Sequence, residues 1–199
     1  MTIPPDAANQ LQTIRLLMER ATVYRAISLP AALLGGLLAL PAAWLASSGG
    51  GSRFVLVWFT ALALTGSFNT WQLARQAKQQ NRPFFSSGFR LALRALVPPL
   101  LAGGLVGGQL ALHGHELACA ATWVLCYGLA LLASREFAPR SIVRLGSAFF
   151  VVGLLSVIVL GSIPHLGPLT PANVLMAATF GILHLVYAAA IALPASSRE

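Results

Sequence analysis

Apolar residues fall into six long runs along this 199-residue chain, separated by short polar segments. The runs are Ile27–Leu45, Phe54–Leu73, Leu96–Leu112, Leu117–Ala133, Leu145–Ile163 and Asn173–Leu193. Each is close to the ~20 residues that carry an α-helix across a ~30 Å hydrocarbon core. The period-2 alternation of a half-buried strand is absent. In lipid a segment must satisfy its own backbone groups, so every run predicts a helix. The expected fold is therefore an all-α membrane protein, a bundle of six transmembrane helices spanning residues 27–193.

Ahead of the first run, Leu11, Ile14, Leu17, Met18, Ala21 and Tyr24 recur at helical spacing, while Arg15, Glu19 and Arg20 lie off that stripe. This predicts an interfacial amphipathic helix within a tail covering residues 1–26. Its opening, "MTIPPDAANQ", lacks the early apolar core of a signal peptide. Residues 194–199 form a second short tail.

Charge fixes the direction of the spans. Only 9% of residues are charged, and the net charge is +8. Arg15, Arg20, Arg25, Arg75, Lys78, Arg82, Arg90, Arg94, Arg135, Arg140, Arg144 and Arg198 all share one side of a six-span topology, against Arg53 alone on the other. Five or seven spans would scatter them. The positive-inside rule then places both termini in the cytoplasm. The basic residues sit in short connections without interleaved stacking aromatics, which argues against nucleic acid as a partner. At the inner face they suit anionic lipid head groups.

Three helical hairpins emerge, each preceded by an arginine pair: Arg20 and Arg25, Arg90 and Arg94, Arg140 and Arg144. Pro30 and Pro99 follow at matching distances in the first two, and Gly35, Gly104 and Gly153 in all three. The hairpins are thus candidates for parallel repeats. The stretch "GGLVGG" at 103–108 holds two overlapping G-x-x-x-G spacings, which permit close helix approach. Gly104 and Gly108 are the candidate seam for a second copy or a membrane partner.

His184 is the one His, Lys, Arg, Asp or Glu inside a run. It lies about 17 Å along the sixth span from its outer end, near the bilayer midplane. An ionisable residue at that depth is a functional-site hypothesis by default. Thr65, Tyr127 with Cys126, and Ser156 reach similar depths on other spans. Tyr187 sits one turn from His184, and Asn69 lies nearer the cytoplasm. Together His184, Tyr187, Tyr127, Ser156, Thr65 and Asn69 outline a mid-membrane polar pocket for a small ligand or lipid. The same groups can equally hold helices together through interhelical hydrogen bonds.

Weaker constellations accompany it. His113, His115 and Glu116 cluster in an outer turn and His165 in another, types that can hold zinc or copper, although the spacing is not a helical i,i+4 pair. Haem held by two histidines would want a second buried imidazole. Cys119 and Cys126 lie seven apart on one helix, about 10 Å along its axis, too far for a disulfide. No nucleophile elbow, zincin motif or phosphate loop is present. The five acidic residues all lie outside the mid-membrane layer, so general acid/base catalysis has little to work with. The sequence thus leans away from an enzyme and names no cofactor.

The segment "IRLLMERATVYRAIS" before the first span and "MAATFGILHLVYAAAIA" in the last resemble a group of small bacterial six-span integral membrane proteins. These share an N-terminal I-R-x-x-M-E-R segment and a closing F-G-x-x-H span. The matching residues are Ile14, Arg15, Met18, Glu19, Arg20, Phe180, Gly181 and His184. The resemblance implies a multi-pass protein of a bacterial cytoplasmic (inner) membrane and draws attention to His184, but it carries over no chemistry. Three readings stay open: a non-enzymatic pocket protein acting as sensor, carrier or accessory subunit; a membrane redox, metal or haem protein using its histidines; and a structural subunit of a membrane complex.

Overall fold

The computed structural model describes residues 27–81, 85, 87–159 and 162–193. The expected amphipathic lead-in and the C-terminal tail fall outside them. The described chain is all-helical, with only an isolated bridge between Leu166 and Leu169. Five helices come first: α1 (Leu29–Ala46), α2 (Gly50–Gln79), α3 (Ser87–Leu112), α4 (Glu116–Ala133) and α5 (Arg140–Ile158). The sixth span is continuous but composite. It runs through α6 (Pro171–Met176), a π-helical segment (Ala177–Leu183) and α7 (His184–Ala192). Among the described residues six helices are long and apolar enough to cross a membrane, the last as Pro171–Ala192.

The boundaries differ from the hydropathic runs in an instructive way. The helix of the second span continues past Leu73 to Gln79, and the third begins at Ser87 rather than Leu96. What reads as a long polar loop is mostly two helix ends that outrun the hydrocarbon. Gln, Ala, Arg and Lys are good helix formers, and no glycine or proline interrupts residues 67–82. Within that extension the Arg75 guanidinium lies 5.7 Å over the Trp71 ring. Hydropathy finds the membrane edge, whereas helix propensity finds the helix end. The fifth helix likewise starts early, at Arg140, and stops at Ile158 instead of Ile163.

Neighbouring spans pack in order around the bundle. The sixth closes the ring against α1, and α4 reaches across to α6. The α4–α5 seam depends on glycine: a Cβ at Gly153 would stand 2.6 Å from the Leu125 Cα. Gly103 and Gly107 are buried against Cys126 and the Trp123 ring, respectively, so this G-x-x-x-G pair is used within the chain. The overlapping pair differs. Gly104 has only Phe59 nearby, at 3.9 Å, and Gly108 faces open space. The hairpin signatures also diverge in role: Pro30 occupies the first turn of α1, whereas Pro99 lies well inside α3.

Burial is uneven. In α2 only Phe54 and Trp58 are buried, while α1, α4 and α5 each bury a full stripe. Leu56, Leu62, Leu101, Leu105 and Ile158 are exposed. Such a surface suits hydrocarbon surroundings.

Candidate ligand cavity

Two capped helix starts position the site. Ser28 caps α1, its Oγ accepting from the Ala31 amide at 3.3 Å, with Pro30 in the first turn. The Ser28 amide and hydroxyl donate to Asn69 Oδ1 at 3.1 and 3.2 Å, tying the start of α1 to α2. Thr170 caps α6 ahead of Pro171, an arrangement suited to a helix N-terminus. The fully buried Asn173 donates from Nδ2 to Thr170 Oγ1 at 2.9 Å. Its Oδ1 accepts the Trp58 indole N–H at 2.9 Å. One amide therefore fixes both the start of the sixth span and the orientation of a tryptophan 115 residues away in sequence.

The π-helical segment follows. Such segments alter the angular register of a helix and recur at functional sites. Gly181 lies within it, where a Cβ would meet the Leu40 side chain at 3.0 Å, so α1 approaches closely. His184 opens the next α-helical stretch. Its ring stacks on Phe180, with centroids 6.0 Å apart and planes at 14°. Tyr127 and Phe149 complete the cluster, with a Tyr127–Phe149 centroid distance of 4.7 Å and a Phe149–His184 distance of 5.3 Å.

His184 is 7% exposed. Its Nε2 is 3.0 Å from the Tyr127 hydroxyl, a hydrogen bond joining α4 to the sixth span. Nδ1 is buried and has no hydrogen-bond partner among the described residues. A neutral imidazole has one donor and one acceptor nitrogen. Whichever tautomer is present, hydrogen-bonding capacity therefore remains open on this pair.

Beside the pair lies a cavity of about 290 Å³, walled by α1, α2, α3, α4 and the sixth span. Its lining on α2 runs from Trp58 to Asn69, about 16 Å along the helix. His184, Tyr127, Thr65 and Asn69 all line it, as does Cys126. Among the described residues no Lys, Arg, Asp or Glu does. Phe59, Leu62 and Leu100 line the cavity and are also exposed, which puts its mouth between α2 and α3.

Two residues expected in this layer stand apart. Ser156 is buried on α5, its hydroxyl donating to the Gly153 carbonyl at 2.8 Å, and it does not line the cavity. Tyr187 is buried in the core but is absent from the lining. Three residues turn a helix by about 300°, enough to carry Tyr187 away from the His184 direction.

The outer histidines do not assemble. His113, His115 and His165 are exposed, and the His113 ring is engaged by the Gln109 carbonyl at 2.8 Å. Among the described residues no three His, Cys, Asp or Glu side chains, Glu116 included, come together to hold a metal ion. Residues 113 to 115 form a tight turn with Gly114 at φ +84°, which ends α3 and starts α4. His184 is the one buried histidine, so paired axial ligands for haem are not brought together. Both cysteines are free, Cys119 buried and Cys126 partly so.

Sequence reasoning missed the aromatic walls. Trp58, Trp123 and Phe180 line the cavity, and Asn173 orients the first of them. The Asn173 position had a readable signal, because "TPAN" is a capped helix start with an amide buried one turn in. Comparison with known proteins adds no relative: no family model, curated protein or solved structure matches the chain.

Proposed function

We propose that this chain is a multi-pass protein of a bacterial cytoplasmic membrane that binds a small, uncharged, apolar ligand in the cavity beside His184. It acts as a sensor, carrier or accessory subunit rather than as an enzyme. The observation that carries this reading is the cavity itself: about 290 Å³ inside the bundle, lined by no charged side chain among the described residues, with a buried His184–Tyr127 pair in its wall. Ligand sites are mostly apolar with a few placed polar groups. The arginine asymmetry supports cytoplasmic termini and an inner face meeting anionic lipids.

The test uses the full chain in phosphatidylcholine nanodiscs with 1-aminoanthracene, a small neutral fluorophore. A Cβ at Gly66, in the cavity lining, would meet nothing within 4 Å, so Gly66→Leu fills space without a clash of its Cβ. Saturable fluorescence is expected in the wild type and in Gly108→Leu, and is expected to be lost in Gly66→Leu. Equal signals in all three proteins would overturn the reading. A second reading, a structural subunit, draws on the open face at Gly108. It is favoured if Gly108→Leu disrupts an assembly in membranes while the monomer stays folded.

A further inference from the structure

Resting on that cavity reading, we infer that the ligand is a quinone or quinol: a planar, uncharged ring bearing carbonyl or hydroxyl oxygens on an apolar tail, taken laterally from the bilayer.

Four observations narrow the class. The first is charge. Among the described residues no lysine, arginine, aspartate or glutamate lines the cavity. A phospholipid or fatty-acid head reaching the His184–Tyr127 wall would meet no counter-ion among the described residues, at high desolvation cost. The second is shape. The walls combine the rings of Trp58, Trp123, Tyr127 and Phe180 with glycines such as Gly35 and Gly103. Rings and bare backbone present flat surfaces, and aromatic pairs gain from offset or edge contact. A planar ring fits such walls better than a branched body.

The third is the polar pair. If Nδ1 carries the imidazole proton, Nε2 accepts the Tyr127 O–H, and the tyrosine oxygen remains able to accept from a ligand hydroxyl. If Nε2 carries it, the ring donates to the tyrosine oxygen, and the tyrosine O–H is released to donate to a ligand carbonyl. One pair therefore serves both redox forms of a quinone by exchanging tautomers. Thr65 adds a hydroxyl in the lining that makes no hydrogen bond among the described residues. The fourth is access. The mouth lies between α2 and α3, at the level of Phe59 and Leu62, where a membrane faces lipid rather than water. The lining extends about 16 Å along α2, room for a ring and the first part of a tail.

The experiment measures displacement of 1-aminoanthracene from the full chain in phosphatidylcholine nanodiscs by decylubiquinone, its quinol, and decylbenzene, which has a ring and tail but no oxygen. The expected result is displacement by quinone and quinol with similar affinity, and at least tenfold weaker displacement by decylbenzene. Tyr127→Phe should weaken both oxygenated ligands about tenfold, the worth of one good hydrogen bond, and leave decylbenzene unchanged. Thr65→Val keeps the shape of its side chain and should weaken the quinone alone or both forms, again sparing decylbenzene. If decylbenzene matches decylubiquinone, or Tyr127→Phe affects all three equally, the ligand class is wrong while the cavity stands. If 1-aminoanthracene never binds saturably, the cavity reading itself fails.

Discussion

The Tyr127–His184 hydrogen bond allows an unequal mutational cycle to be worked out in advance. Tyr127→Phe removes a hydroxyl and leaves a buried imidazole with neither nitrogen paired, since Nδ1 already lacks a partner. Leaving a buried polar group unsatisfied costs about 1–3 kcal/mol. Hydrogen bonds between membrane helices measure ~0.6 kcal/mol on average and reach ~1.7. We therefore expect Tyr127→Phe to destabilise by about 1–2 kcal/mol. His184→Leu loses the same bond and strands the Tyr127 hydroxyl, but it also removes the orphaned nitrogen, which offsets that loss, and leucine is close to histidine in size. Its cost should stay under ~1 kcal/mol by the same accounting. The double variant leaves neither polar partner stranded, so it should be no less stable than His184→Leu alone, giving a coupling of about 1–2 kcal/mol. Reversible unfolding of the full chain in mixed micelles, followed by tryptophan fluorescence, reads these values. Additivity within ~0.3 kcal/mol would show that the two side chains do not share a bond. A His184→Leu cost well above that of Tyr127→Phe would refute the argument that Nδ1 is unpaired.

Three further outcomes follow from the geometry. Gly107→Ala drives a Cβ into the Trp123 indole and should cost about 1–3 kcal/mol from overpacking, whereas Gly108→Ala meets open space and should be neutral or gain up to ~1 kcal/mol of helix propensity; thermal unfolding of both proteins decides it, and equal effects would contradict the assigned faces. Asn173→Ala orphans the Trp58 indole N–H and should destabilise by about 1–2 kcal/mol, with weakened 1-aminoanthracene binding as the second readout; an unchanged melting curve would argue against the bond. N-ethylmaleimide should alkylate Cys126 well before Cys119 in nanodiscs, since only the former lines the cavity; peptide mass mapping that finds the reverse order would misplace the cavity.

The bundle was legible in the sequence because hydropathy reports directly on the surroundings a helix needs. Six runs correspond to six membrane-length helices among the described residues, and Arg75, Arg90, Arg94, Arg140 and Arg144 sit toward their ends. Helix length was less legible: the extension of α2 to Gln79 is set by propensity beyond the membrane edge, which a hydropathy window does not see. Depth along each span was enough to place Thr65, Asn69, Tyr127 and His184 around one cavity. It was not enough for Ser156 and Tyr187, because depth fixes height and says nothing about azimuth. Azimuth depends on how each helix is rotated in the bundle. In the sixth span it also depends on a π-helical segment whose hydrogen-bond register has no residue signature in "AATFGIL". The overlapping glycines show the same limit: the stretch contains two equivalent spacings, and only packing shows that Gly103 and Gly107 face α4.

The size of the cavity bears on whether His184 is merely helix glue. Core voids cost roughly 24 cal/mol per Å³, so about 290 Å³ left empty would cost ~7 kcal/mol, comparable to the whole stability of many domains. A bundle that needed only a hydrogen bond between α4 and the sixth span would have no reason to keep such a space. With its mouth toward lipid, the cavity can be filled by an acyl chain, which removes most of that cost. A specific ligand must then compete with lipid rather than with water. Moving apolar surface from a bilayer into an apolar cavity gains almost nothing, since both surroundings are hydrocarbon-like. Selectivity must come from what lipid tails lack: oxygens able to reach Tyr127, Thr65 or His184, and a flat ring for the aromatic walls. This is why a single hydroxyl, that of Tyr127, should weigh more in ligand recognition than any of the apolar residues that form most of the wall.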